Sequence, residues 1–312
     1  MARCSTSTAS FTAKSVYFDD LLIHRRYLQP SLYPSISSET ENRAIALTGI
    51  APEKPFMALL ASNICDLHLC GAGVGAQCFP LYTYDADGGH RRDNVTDWAL
   101  EQFRVRYPQG KITKKEIFHY VYAMLHHPVY RTTYAANLRR ELPRIPLAPD
   151  FAAFAKAGAK LADLHVGYES QKEFKLKRVE TPCAKPDWRV ERMKLSKDKT
   201  TLVYNDWLTL EGIPTEVSEY RLGNRSALEW VIDQYCVERS KTDPEEITSD
   251  PNRSEDEEYI VRLIGQVVTV SVETMKLVRA LPVFDDSPVA RGCTQAELDA
   301  AHVYVAEDAS VD

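Results

Sequence analysis

Residues 112–150 read ITKKEIFHYVYAMLHHPVYRTTYAANLRRELPRIPLAPD. Thr113 followed three residues later by Glu116 is a capping box, in which two side chains satisfy backbone N–H groups at a helix start. It predicts a helix through the apolar run to His126. Pro128 suits the first turn of a next helix, because the N–H it lacks has no partner there anyway. That helix is expected through VYRTTYAANLRREL, 129–142. The Pro-rich stretch 141–150 predicts an extended connector, since a residue before proline is pushed out of the helical region. Pro149 then starts another helix, reaching about Tyr168. These elements make the middle of the chain helical.

Working outward, Asp97–Tyr107 carries Trp98, Leu100 and Phe103 in a helical pattern. Further upstream, SVYFDD (15–20), RAIALTG (43–49) and PFMALLAS (55–62) are short apolar runs between turn residues, the pattern of strands. Downstream, WRVERMKLS (188–196) and KTTLVYND (199–206) read as two strands joined by the polar turn SKDK. A short helix is expected near Thr215–Tyr220. Ser226 and Glu229 form another capping box, followed by the apolar face Leu228, Val231, Ile232 and Tyr235. Residues 240–258 are acidic and apolar-poor and are expected to be a mobile loop. A final helix is expected from about Glu257 to Ala280. The fold class is therefore α+β. It divides into a loose terminus (1–10), a mixed strand-rich N-terminal part (11–95), a mainly helical part with a β-hairpin near 188–205 and C-terminal helices (96–282), and an acidic flexible tail (283–312).

No run of about 18 apolar residues is present, so no membrane span is expected. The Ser/Thr-rich start has no apolar core of a secretory signal, and a cytoplasmic location follows by default. Seven scattered cysteines fit reduced thiols better than a disulfide framework. The net charge is −6, yet residues 91–140 carry a local +6 and 171–200 a local +5, while 241–260 carry −6. A basic body with acidic appendages is able to bind a phosphate backbone.

The chemical motifs are weaker. Gly71, Gly73 and Ala76 have the spacing of a nucleotide-binding loop, but Pro80 and the aromatic run after it predict extended chain where a helix is needed. Cys65, His68, Cys70 and Cys78 lack a standard zinc spacing. His126 and His127 are adjacent on a helix, so their side chains diverge and a structural role is expected. Asp19/Asp20 and Asp85/Asp87 match no nuclease or glycosidase pattern, and no catalytic residue or metal site is assigned. Three basic groups remain. Arg91, Arg92 and Asn94, after His90, precede a helix N-terminus, a sensible place for phosphate. Lys194, Ser196, Lys197 and Lys199 sit in and beside the hairpin turn. Arg221, Asn224 and Arg225 crowd around Gly223. Arginine suits bidentate contacts to guanine and asparagine to adenine, but each group also suits loop-fixing ties.

Six strings carry a resemblance: YFDDLLIHRRY (17–27), RRDNVTDWALEQFR (91–104), 116–151, 188–206, YRLGNRSALEWVIDQY (220–235), and DPNR with YIVRLIGQVVTVSVET (250–253 and 259–274). Over roughly 11–282 the chain resembles the C-terminal specificity region of type ISP restriction–modification enzymes. In those enzymes a nuclease, a helicase-like translocase, an adenine-N6 methyltransferase and a target-recognition domain follow one another. The resemblance implies a part that reads double-stranded DNA while other domains methylate, translocate and cleave. AdoMet, ATP and Mg are expected only in those missing domains, and no cofactor in this chain. The chain is thus expected to be a piece or separate specificity subunit of such a system, inactive alone. Target choice is expected from the less recognisable loops Asp85–His90, Gln109–Lys111 and Gln171–Lys185, with Lys111 added to the DNA-binding candidates. Two rivals are a protein module docking on the methyltransferase and a hydrolase built on Asp85, Asp87 and His90.

Overall fold

The structure, a computed structural model, describes residues 3–9, 12–19, 21, 23, 25–50, 55–71, 75–85, 87–182 and 185–284. The helical middle forms as its caps dictate. Thr113 Oγ1 accepts from Glu116 N, and the Glu116 carboxylate accepts from Thr113 N at 2.8 Å. The central helix Lys114–His126 that follows buries almost every residue from Ile117 to His126. It packs along the alanine-rich helix Phe151–Val166, whose N-cap is Asp150. Gly158 permits that approach, because a Cβ there would lie 1.8 Å from the carbonyl oxygen of His119. The connector 141–150 is extended, and tyrosines satisfy its backbone. Tyr120 Oη donates to Pro146 O at 2.6 Å, and Tyr130 Oη donates to Arg144 O at 2.9 Å.

Beside these helices, Ala44–Thr48 is the middle strand of an antiparallel sheet with Ala58–Ala61 and Ala76–Pro80. All five of its residues are buried, as a central strand covered on both faces requires. The C-terminal half holds a four-stranded antiparallel sheet in the order Lys194–Leu195, Thr201–Val203, Leu208–Glu211, Lys177–Glu180. The long helix Tyr259–Arg279 shares its core, with Leu202, Leu208, Leu210, Val231, Ile264 and Val267 all fully buried. Leu277 packs against this core and against the helical one. A buried polar cluster also joins the two halves. His165 Nδ1 lies 2.6 Å from Tyr122 Oη, its Nε2 lies 2.8 Å from Thr274 Oγ1, and its ring stacks on Tyr220. Next to it, His126 Nδ1 donates to Tyr122 O at 2.8 Å. Burial holds both histidines below the usual imidazole range, His126 at about 4.

The α+β expectation holds, with several local differences. Arg3–Ala9 is a strand rather than a loose terminus, paired antiparallel with Thr12–Tyr17 and parallel with Ile64–Cys65. Its ladder is made by the backbone, which composition does not reveal. The helix expected over 129–142 is two pieces, Pro128–Thr133 and Asn137–Arg140. The hairpin strands are shorter than expected, because Asn205 Nδ2 binds Asp187 O and Arg189 O and holds 187–189 out of the ladder. The acidic stretch 240–258 is not simply a loop. Ile247–Ser249 pairs with Glu238–Arg239, and Asn252 makes two hydrogen bonds to the backbone of Val190. Leu281 and Phe284 are buried, so the core extends past the expected start of the tail. Of that tail, residues 285–312 lie outside the described residues, as does Gly73 of the glycine spacing. Ala76, which ends that spacing, opens a strand rather than a helix.

Candidate nucleic-acid interface

The three basic groups meet different fates. Arg91 reaches Glu41 Oε2 at 3.1 Å and lies 4.5 Å from the centre of the Tyr82 ring. Arg92 pairs with Asp85 Oδ1 at 2.7 Å, and His90 Nδ1 meets Asp85 Oδ2 at 2.8 Å. The Arg92 hydrogen bond and then the His90 contact hold the Asp85 carboxyl below its ordinary range. Asp87 Oδ1 accepts from Gly89 N at 2.8 Å, closing the turn. Asp85 and Asp87 thus fix a loop, and a carboxylate held ionised is a poor proton donor. Asn94 is exposed on the rim of a cleft lined by Tyr27, Leu28 and Phe79.

The hairpin turn is held by its own side chains. Ser196 Oγ donates to Asp198 Oδ1 at 2.6 Å and accepts from Thr201 N at 3.0 Å. Lys199, at φ +61°, sends Nζ to Glu229 Oε1 at 2.8 Å. That contact brings the hairpin against the capping box of Ala227–Gln234, and so beside the third group. Lys194 and Lys197 are exposed and have no carboxylate partner among the described residues.

In the third group, Gly223 has φ +66°, the backbone that a two-residue hairpin loop asks of its first position. Arg221 donates to Asn224 O, leaving the Asn224 side chain exposed. Arg225 pairs with Asp233, and its guanidinium lies 5.2 Å from the centre of the Trp230 ring. Trp230 Nε1 in turn donates to Leu222 O at 2.9 Å. The donors crowded in the sequence are therefore largely occupied in fixing the turn.

Another group of cations, free among the described residues, lies elsewhere. Loop 106–112 and the start of the alanine-rich helix enclose an open cleft of about 730 Å³, lined by Arg106, Gln109, Lys111, Phe151, Ala155 and Lys156 among others. Lys111 and Lys156 are exposed, with no carboxylate partner among the described residues. Lys115, equally free, stands one turn before His119 of the cleft wall, and Lys160 one turn after Lys156. The acidic wall residues are committed: Glu116 to the Thr113 cap and Asp150 to Ala153 N at 2.9 Å. Of these cations only Lys111 stands out in sequence. Arg106, Lys115, Lys156 and Lys160 look like ordinary solvated helix charges, and the unusual Gly110 (φ +133°) is the single local sign of a shaped loop.

The remaining motifs are structural. Cys65 and Cys70 are buried, and burial pushes the Cys70 thiol up to about 12. His127 Nε2 meets Pro282 O at 3.2 Å. Among the described residues no helix is long and apolar enough to cross a membrane.

Comparison with known proteins agrees with this architecture. Residues 4–263 match the family model of the type ISP C-terminal specificity domain. No curated protein matches in sequence. Among solved structures, a nuclease-deletion mutant of the type ISP restriction–modification enzyme LlaGI in complex with a DNA substrate mimic is 33% identical over 91% of this chain, with TM-score 0.75. The DrdV–DNA complex is 35% identical over 90%, with TM-score 0.78. The ATP-dependent type ISP enzyme LlaBIII bound to DNA is 29% identical over 91%, with TM-score 0.77. This chain spans 25%, 28% and 18% of those three chains, respectively. With most of its length matched in sequence and nearly all of it in fold, the chain belongs to the type ISP C-terminal specificity domain family.

Proposed function

We propose that this chain is a DNA target-recognition unit that binds duplex DNA and directs chemistry performed by other domains. The observation that carries this reading is the likeness, over nine-tenths of the chain, to an enzyme described in complex with a DNA substrate mimic. The free lysines support it physically. Lys/Arg contacts to phosphates supply affinity and register, while a few polar side chains at base edges supply specificity. Lys111, Lys115, Lys156 and Lys160 in and beside the cleft, and Lys194 and Lys197 by the hairpin, are the phosphate candidates that break no existing pair. Arg91, Arg92, Lys199 and Arg225 would first have to exchange a carboxylate. Such exposed pairs hold by only about 0–1 kcal/mol, so exchange is affordable but earns less. Asn94, Asn224 and Gln109 are exposed amides that would supply contacts to base edges. Adenine methylation with AdoMet, and translocation and cleavage with ATP and Mg, belong in this reading to other domains of the same system.

The test is fluorescence anisotropy with labelled duplex DNA. Lys194→Ala with Lys197→Ala is expected to weaken binding to all sequences alike, and to make the salt slope shallower by about two units. Unchanged affinity and slope in this variant and in Lys111→Ala with Lys156→Ala would leave the protein-docking rival in front.

A further inference from the structure

We propose that Cys78 and Cys65 form a reactive dithiol site, in which Cys78 reduces a small hydroperoxide and Cys65 then closes a reversible disulfide with it. The site stands apart from the DNA-binding reading. Three features of the fold build it. The first is proximity. Cys78 lies in the middle of the edge strand Ala76–Pro80, opposite Ala46. Cys65 ends the short strand Ile64–Cys65 and packs in one apolar cluster with Ala46, Ala61 and Cys78. The two thiols meet there as hydrogen-bond partners. The second feature is a pair of donors aimed at one sulfur. Gln29 Oε1 accepts from Cys65 N at 3.2 Å, which turns its amide nitrogen to donate to Cys78. The Cys65 thiol has two acceptors, Asn63 O at 3.6 Å and the Cys78 sulfur. A thiolate is the stronger acceptor, so the Cys65 proton turns to Cys78 as that sulfur ionises. The third feature is access. Both cysteines line the cleft of about 550 Å³ that Tyr27, Leu28 and Phe79 enclose, with Cys78 half-buried and Cys65 buried.

This arrangement divides the labour between the two sulfurs. The hydrogen bond from Cys65, helped by that from Gln29, holds the Cys78 thiol below its ordinary range despite burial. The same bond and burial push the Cys65 thiol up, and burial pushes Cys70 and Cys236 up. Of Cys65, Cys70, Cys78 and Cys236, only Cys78 is shifted towards the thiolate, which is the nucleophilic form. Its sulfur attacks one peroxide oxygen. The S–O bond forms, the O–O bond breaks, and the second oxygen leaves as hydroxide or alkoxide. The sulfur is oxidised to a sulfenic acid and the peroxide is reduced. The Cys65 sulfur then attacks the Cys78 sulfur. An S–S bond replaces the S–O bond, and the hydroxyl departs with the Cys65 proton as water. A small thiol reductant reverses the disulfide by exchange.

The 312-residue chain, reduced and freed of reductant, tests this in two ways. The first is alkylation by iodoacetamide, followed residue by residue with mass spectrometry. Cys78 is expected to react about tenfold faster than the half-buried Cys236. Gln29→Glu keeps the acceptor for Cys65 N but removes the donor to Cys78, and is expected to abolish that advantage. Equal rates at Cys78 and Cys236 in the parent chain overturn the proposal whether or not the variant folds. The second is treatment with one equivalent of hydrogen peroxide and digestion without reductant. A Cys65–Cys78 linked peptide pair is expected, and a thiol reductant is expected to restore both thiols. Cys65→Ser keeps a hydroxyl donor but cannot close the disulfide. In that variant a Cys78 sulfenic acid is expected, trapped by dimedone. A parent chain in which Cys78 links to another cysteine, or stops at the sulfenic acid, overturns the role of Cys65 and with it the proposal.

Discussion

Acidification from pH 7 to pH 5 should destabilise the fold through its buried histidines. His126 is fully buried, and its Nδ1 donates to Tyr122 O at 2.8 Å. Desolvation holds its pKa at about 4, against about 6.5 in an unfolded chain. The fold therefore favours the neutral ring. Below pH 6.5 the unfolded state binds more protons than the native state, so stability falls with pH. The contribution is complete above about pH 6.5 and is lost towards pH 4, at up to ~1.4 kcal/mol per pH unit. For His126 this amounts to about 2 kcal/mol at pH 5 and about 3 kcal/mol once both states are protonated. His165 acts in the same direction. Its ring lies 5.5 Å from that of His126, so charging one opposes charging the other. Urea unfolding at pH 7, 6 and 5 measures the effect, with His126→Gln as the reference. Other groups titrate in both proteins, so the difference between the two pH profiles isolates the imidazole. Parallel profiles between pH 7 and pH 5 would refute the reasoning.

Two substitutions probe other parts of the account. Gly158→Ala normally favours a helix by about 1 kcal/mol, but here the new Cβ meets His119 O, and a net loss of about 1–3 kcal/mol is expected. A raised melting temperature would contradict the close helix crossing. Arg225→Ala removes the Asp233 pair and the Trp230 contact, and should cost less than about 1 kcal/mol while leaving duplex affinity within about twofold. A uniform loss of affinity with a shallower salt slope would instead place Arg225 on a phosphate.

Local chemistry was the legible part of this sequence. The boxes Thr113/Glu116 and Ser226/Glu229 close within one helical turn, and both form as read. The long C-terminal helix follows equally from its apolar spacing. What the sequence hid depends on distant partners. Lys177–Glu180 reads KRVE, a charged stretch that becomes a strand only because Leu208–Glu211 lies alongside it. Arg91 is tied through Glu41, fifty residues upstream. Arg225 shows the limit most clearly, since its donors looked free until the helix turned Asp233 towards them. The cleft is the same lesson in reverse. Lys111 and Lys156 share a wall only after the helices pack, and no spacing in the sequence marks their proximity.

The central claim is that this chain holds duplex DNA through its own lysines. Its most direct test is the salt dependence of duplex binding by the 312-residue chain. With four to six lysines on phosphates, a plot of log affinity against log salt is expected to have a slope of about −4 to −5. A slope near zero, or no binding to a mixed duplex pool at about 50 mM salt, would contradict the account.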